Sequence, residues 1–355
     1  MEILWLNFFF VSLASFFARY FSRPLEGMLP YVKPNKLLIF FVTCSLVIVS
    51  GFRRNIGDTY FYMHTYVVND FKWQNLDFKG EFGFYALQAL LHRLSDDPQI
   101  LVFTTALITN VIIVIVLYKY SRFIEVSLFV YITSGLFTVS MNGIRQSLAA
   151  AILFAATKWI IKGDWKKYFG VVLLAATIHH SALIFLPVYF MVRRKAWTKL
   201  TFLLLLAAVA IAFGFDTFSK LLFHALSDTS YGHYSEFTEG GASIIRVAVL
   251  SAPLIIAYLG RERLRELWPQ SDVIVNLSLL GLIFMVVATK NWIFARFDIY
   301  FSLYSLILIS WIVQLFAKRE RRFVYYSLLV CYLIYFYYEQ VVTLGIVYHS
   351  DYLSY

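Results

Sequence analysis

The sequence predicts an all-α polytopic membrane protein, and three observations support that expectation. Hydrophobic residues make up 60% of the 355, with a mean hydropathy of +0.70, against roughly 45–50% in an ordinary soluble domain. Apolar runs of spanning or near-spanning length follow one another along the whole chain. Charged residues are only 15% of the total and gather between those runs.

The runs, in order, begin with 3–20, which follows an acidic Glu2 and has no basic flank before it. That pattern predicts a first transmembrane helix and not a cleaved signal peptide. Runs 37–52, 100–118, 126–139 and 148–161 come next. Run 168–192 is different, because Lys166-Lys167 and Arg193-Arg194-Lys195 flank both ends and His179-His180-Ser181 sits at its centre. Polar backbone breaks survive at membrane depth only inside protein or beside a water-filled cavity. The run therefore predicts two short helices meeting at the histidines, or a re-entrant hairpin. Runs 200–215, 244–259, 273–289, 299–317 and 323–338 complete about ten full spans plus this hairpin.

No Gly/Ser linker or repeat divides the chain, so residues 1–355 read as one polytopic domain with long outer loops at 53–98 and 216–243. In the first loop Phe84, Leu87, Leu90, Leu91 and Leu94 recur at helical spacing, which predicts an amphipathic surface helix over 82–95. The second opens on a similar pattern (Phe218, Leu221, Leu222, Ala225) and ends in aromatic and acidic residues around Tyr231 and Tyr234. Those tyrosines, with Tyr60 and Tyr62, could stack on sugar rings. Cys44 and Cys331 fall mid-run and read as packing residues.

The net charge of +10 would suit a nucleic-acid partner if it formed one patch. It does not. With both termini outside, 21 of the 31 basic residues but only 7 of the 21 acids fall on inner loops. The basic excess is thus the positive-inside signal of membrane topology, and no nucleic-acid partner is expected.

Against that bias stand the cations at the outer boundary. Arg53 and Arg54 follow the second run, Arg145 opens the fifth after an Asn142-Gly143 break, Arg246 lies in the first turn of 244–259, and Arg296 opens 299–317. Arg145, Arg246 and Arg296 each put a cation at a helix N-terminus, which the helix dipole disfavours. Three such arginines on one face predict a ligand of high negative charge, such as a phosphate or pyrophosphate. The bland alternative is that they snorkel to lipid phosphates or pair with acids, Arg296 with Asp298. His179 or His180 in the membrane-depth break could accept a hydroxyl proton or donate to a phosphate. Asp58 and Glu81 are alternative bases, and Asp58 is equally a turn cap or a partner for Arg53 or Arg54. The outer side has no His-x-x-x-His or Asp-x-Asp spacing, so no metal is expected. The chain also has no P-loop, dinucleotide fingerprint or Gly-x-Ser-x-Gly element, so neither a cofactor nor nucleotide-driven chemistry is expected.

Four elements in order resemble the EpsG family of Wzy-like polysaccharide polymerases. They are Gly57-Asp58-Thr59-x-x-Tyr62, Asn142-x-x-Arg145-Gln146-x-Leu148-Ala149, Ile178-His179-x-Ser181-Ala182-Leu183 and Ala295-Arg296-Phe297-x-x-Tyr300. The Gly57-Asp58-Thr59 order differs from the Gly-Thr-Asp order expected of relatives. The resemblance implies a fold similar to GT-C glycosyltransferases and a glycosyltransferase that needs no metal. Such an enzyme would join undecaprenyl-pyrophosphate-linked repeat units at the outer face of a bacterial cytoplasmic membrane. On that reading Arg145, Arg296, His179 and Asp58 are the candidate catalytic residues. Arg53, Arg54, Tyr62, Glu81, Asn142, Gln146, His180, Arg246 and Tyr300 are the candidate substrate-binding residues. Donor and acceptor are both lipid-linked oligosaccharides, and a flippase and a chain-length regulator are the candidate protein partners. The competing classes are a lipid-linked oligosaccharide flippase and a membrane O-acyltransferase. A flippase should line a cavity reachable from both sides, and an acyltransferase should show its charged motifs on the inner side.

Overall fold

A computed structural model describes residues 1–24, 32–72, 77, 80–215, 217–219 and 240–353 of the protein. Leu221, Leu222, Ala225, Tyr231 and Tyr234 lie outside the described residues. Apart from one pair of two-residue strands, Arg23–Pro24 with Val32–Lys33, the regular elements described are helical.

The chain divides into two compact units, Met1–Tyr189 with Leu306–Tyr355, and Phe190–Ser305. The first begins with α1 (Glu2–Tyr20) and α2 (Lys36–Gly51). The Asn35 side chain starts α2 by accepting from the amides of Leu37 and Leu38, two of the N–H groups a helix leaves unsatisfied. Two shorter helices follow, α3 (Thr59–Val68) and α4 (Phe82–His92), and then the long α5 (Gln99–Tyr120). Next come α6 (Ile124–Thr133), α7 (Leu136–Asn142), α8 (Ile144–Ala155) and α9 (Thr157–Lys162). The last are α10 (Trp165–Ile178) and, after a 3₁₀ turn at His180–Ile184, α11 (Phe185–Val192), whose residues from Phe190 on belong to the second unit.

The first unit packs around α5, which buries Leu101, Val102, Thr105, Thr109, Ile113, Val114 and Leu117. Lipid is as apolar as a leucine side chain, so helices in a membrane associate through close packing and hydrogen bonds. Both devices are present. In α8, which packs against α5, the consecutive Ala149, Ala150 and Ala151 are buried; small residues let helix backbones approach. In the same core Asn110 is fully buried, accepting from the Tyr131 hydroxyl at 3.0 Å and donating to the Ala106 carbonyl at 2.9 Å.

Helix lengths depart from the hydropathy runs. Five described helices are long and apolar enough to cross a membrane, or seven if each of two bent pairs is one span. The expected ten full spans are not reached on that measure, and the reasons are local. Run 126–139 is one stretch by hydropathy but splits at Ser134-Gly135 into α6 and α7, which meet at 55°. Runs 37–52 and 200–215 give helices of 16 and 15 residues, about 24 and 22 Å long, against about 30 Å of hydrocarbon.

Run 168–192 does fold back on itself. The Tyr168 ring near the start of α10 lies 5.2 Å from the Tyr189 ring near the end of α11, and Phe169 lies 5.7 Å from the same ring. A straight helix would hold Tyr168 and Tyr189 about 30 Å apart. The turn is made at His179, whose backbone is extended between α10 and the 3₁₀ turn.

The second unit contains Lys199–Phe213, Ile244–Leu259, Arg261–Leu267 and Ser271–Ala288. Helix Ala295–Ile312 starts in it. Ala208, Met285, Val287, Ala288 and Phe294 form a buried apolar cluster there. The Asn276 amide holds the end of α11 by donating to the carbonyls of Val192 at 3.0 Å and Arg194 at 2.8 Å.

Candidate functional site

The sequence elements around Arg53, Gly57–Thr59 and Asn142 come together, although they are far apart in the chain. Arg53 is buried, 1% exposed. It donates from Nε to the Thr59 hydroxyl at 3.0 Å, from one terminal nitrogen to the Met141 carbonyl at 2.6 Å, and from the other to the Ser50 carbonyl. Ser50 and Met141 lie in the last turns of α2 and α7, where carbonyls lack helical partners and the dipole favours a cation. Burial pulls the guanidinium down to about 9, partly countered by Tyr348, so the cation persists at neutral pH. Across the same junction the Asn142 side chain accepts from the Asp58 amide at 3.0 Å.

Two candidate site residues lie here. Arg53, expected to bind substrate, donates from Nε and both terminal nitrogens to protein acceptors and ties α2, α3 and α7 together. Asp58 was expected to act as a base, to cap a turn or to pair with Arg53 or Arg54. It stands at the N-terminal boundary of α3 with no side-chain cap bond, its amide donates to Asn142, it is exposed, and the described ion-pair partner of Arg54 is Asp351. Gly57 makes the junction possible, because it has φ of +55° and a Cβ there would collide with the Asn142 side chain. Gly57→Ala should therefore cost at least ~1–2 kcal/mol from the left-handed backbone alone. Thermal unfolding in detergent checks this, with a lowered midpoint as the expected result.

A second constellation contains the groups that can do chemistry. The chain breaks at Gly143, and Arg145 falls in the first turn of α8. From there its NH1 donates to Glu81 Oε2 at 2.7 Å, and its Nε donates to the Tyr62 hydroxyl at 3.3 Å. The guanidinium lies 5.6 Å from the Tyr62 ring centre and 5.9 Å from that of Phe84. Glu81 immediately precedes α4. Its other oxygen, Oε1, is hydrogen-bonded to His179 Nδ1 and accepts from the His180 amide at 3.2 Å. His180 turns its own Nε2 to the Gly80 carbonyl at 3.1 Å. One carboxylate thus joins the arginine of α8 to the histidine of the hairpin turn.

Gly83 explains how α4 reaches that turn. A Cβ on Gly83 would strike Thr177, two residues before His179. Its absence lets α4 approach α10 closely enough for Glu81 to bridge. Sequence reading placed Phe84 on the amphipathic face but gave Gly83 no role, though a glycine in the first turn of that helix was the available signal.

Burial alone would raise the Glu81 pKa. The His179 hydrogen bond, the charges of His179 and Arg145 and the His180 amide outweigh it and hold the carboxyl below its ordinary value. Glu81 is therefore an ionised acceptor at neutral pH, and its geometry suits holding His179 and Arg145 in place. An anionic acceptor at Nδ1 favours the tautomer with the proton on Nδ1. That leaves His179 Nε2 as the ring nitrogen without a proton, and it makes no hydrogen bond to any described residue.

The remaining predicted residues divide between the units. Gln146, in the first, is 6% exposed, and Tyr300, in the second, is fully buried. Both were expected to face substrate, and both are packed inside. In the second unit the Arg296 guanidinium lies 4.6 Å from the Trp292 ring centre. Asp298 is buried, accepts from the Ser302 hydroxyl at 2.6 Å and feels the charge of Arg246. Among the described residues no group of three or more His, Cys, Asp or Glu is placed to hold a metal ion.

Comparison with known proteins gives one match. Residues 36–355 fit the family model described as the EpsG family. No curated protein and no solved structure matches the chain.

Proposed function

The chain belongs to the EpsG family, and from that premise we propose that it is an extracytoplasmic polysaccharide polymerase. The family and the apolar helices make it a polysaccharide-polymerase-like, multi-pass membrane protein. Our reading goes further in naming the reaction. The donor is a repeat unit on undecaprenyl pyrophosphate, and the acceptor is a sugar hydroxyl of a second lipid-linked unit. The hydroxyl oxygen bonds to the donor's anomeric carbon while the bond from that carbon to the pyrophosphate oxygen breaks. The hydroxyl proton passes to His179 Nε2, and the lipid pyrophosphate leaves as an anion.

The observation that carries this reading is the single carboxylate bridging His179 and Arg145. A base that must take a proton and a cation that must meet developing phosphate charge are held by one rigid group, which is electrostatic preorganisation. Glu81 orients both and touches neither reacting atom, so it is a positioning residue. Arg246 and Arg296, also at helix N-termini, are proposed as further phosphate-binding residues. The same reading places the enzyme in a bacterial cytoplasmic membrane, facing outward, on a GT-C-like fold of about ten spans. A flippase would supply its substrate and a chain-length regulator would act on its product.

The test is the surface-polysaccharide ladder of cells lacking the protein. Collapse to single repeat units means that export survives and joining fails, as a polymerase requires. Loss of all surface material, single units included, would overturn the reading in favour of a flippase. An intact ladder lacking only acyl groups would favour an acyltransferase.

A further inference from the structure

Between α1, α2 and the C-terminal tail lies a groove of about 350 Å³, lined by Leu6, Phe10, Ile48 and Leu353 with two polar exceptions, Asn7 and Ser45. We propose that it binds one acyl chain of a glycerolipid, whose ester carbonyl accepts a hydrogen bond from the Asn7 amide. This does not depend on the proposed polymerase activity.

Asn7 is the observation that asks for a ligand. It is 3% exposed in the middle of apolar packing. The Ser45 hydroxyl donates to its Oδ1 at 2.7 Å, while its Nδ2 is buried and has no hydrogen-bond partner among the described residues. A donor left unpaired in an apolar environment is strongly disfavoured, so the groove is incomplete as it stands. Its volume is more than twice the ~150 Å³ in which an apolar protein cavity holds a benzene ring.

The mouth of the groove decides what can enter. Leu6, Phe10 and Ile48 are exposed there, at 48%, 47% and 40%, and the charge closest to them along these two helices is Glu2, one turn before Leu6 at the end of α1. The polar groups lie at one end of the mouth, at Glu2 and Tyr352, and the rest of it is apolar and suited to hydrocarbon. The occupant must therefore be a membrane chain that also carries an acceptor. Asn7 lies five residues beyond Glu2, about 8 Å along the helix. If Glu2 marks the polar surface, that depth is the boundary where headgroup layer gives way to hydrocarbon, which is where glycerolipid ester carbonyls sit. The hydrocarbon of a polyprenyl chain offers no acceptor at all. The tail closes the groove from the other side: the Tyr348 hydroxyl donates to the Val49 carbonyl at 2.8 Å, and the Tyr352 ring centre lies 4.9 Å from that of Phe52.

The test is photolabelling of the full chain in vesicles of phosphatidylglycerol and phosphatidylethanolamine. A phosphatidylglycerol carrying a diazirine on the upper part of one acyl chain is the probe. Adducts on Leu6, Phe10 and Ile48 should exceed those on Leu203 and Leu206, which are exposed on Lys199–Phe213. Asn7→Leu should lower groove labelling about fivefold, the weight of one hydrogen bond, and leave the reference helix unchanged. Leu6→Trp fills the groove from an exposed position and leaves the Asn7–Ser45 pair alone, so it should lower labelling at Phe10 even if Asn7→Leu folds poorly. Groove labelling no greater than the reference helix, or unaffected by both substitutions, would overturn the proposal. So would stronger labelling of the groove by a diazirine-bearing polyprenyl phosphate than by the diacyl probe.

Discussion

His179→Ala should lower polymer formation by about 10²–10⁴-fold, the usual loss when a general base is removed. The measurement is joining of a lipid-linked repeat unit by the purified protein in proteoliposomes, with equal protein incorporated. The expectation rests on a geometry that leaves Nε2 unengaged while Nδ1 is tied to Glu81. A companion substitution, Glu81→Gln, keeps the size of the bridge but replaces an anionic acceptor by an amide that can also donate. The fixed tautomer is then lost, so the rate should fall while substrate binding changes less. A merely structural Glu81 would instead lower the amount of folded protein and leave the turnover of what remains unchanged. If His179→Ala joins repeat units at the normal rate, the proton goes elsewhere and the assignment is wrong.

Arg145→Ala should lower turnover by about 10²–10³-fold, or ~3–4 kcal/mol, as for loss of one preorganised donor to a developing anion. Surface-polysaccharide length is the cellular readout, and the ladder should shorten to single units. Arg145→Lys is the informative contrast. Lysine keeps the charge but not the planar fork that reaches Glu81 from NH1 and Tyr62 from Nε together. It should recover only part of the activity. Full recovery would show that charge alone suffices and that the two-point anchoring is incidental. A loss seen in KM, with kcat intact, would put Arg145 on the bound substrate and not on the transition state. An unchanged ladder in Arg145→Ala would make it a lipid-phosphate anchor.

Glu81 marks where sequence reading stopped. Its neighbours in chemistry are 64 residues away in Arg145 and 98 away in His179. Read alone, a carboxylate on an outer loop looked like a free base. Its bonds to the Arg145 guanidinium, the His179 ring and the His180 amide make it an ionised acceptor that holds other groups in place. Arg53 shows the same limit: its position after the second run says nothing of the carbonyls at the ends of α2 and α7 to which it donates. The glycines behaved better, since Gly143 and the histidine pair mark breaks wherever they are placed in a helical run.

Composition, run length, charge asymmetry and break residues are local quantities, summed over neighbours in the chain. They therefore sufficed for an all-α multi-pass membrane protein, for the α7–α8 break and for the doubling back at His179, while the family came from the resemblance of four ordered motifs. Helix lengths and bends were not legible, because hydropathy records how apolar a stretch is and not where its hydrogen-bond ladder stops, as at Ser134-Gly135. Which charge meets which was legible least of all. Ion pairs and hydrogen bonds act over a few ångströms in space, and only the packing of α4 on α10 through Gly83 brings Glu81 between His179 and Arg145.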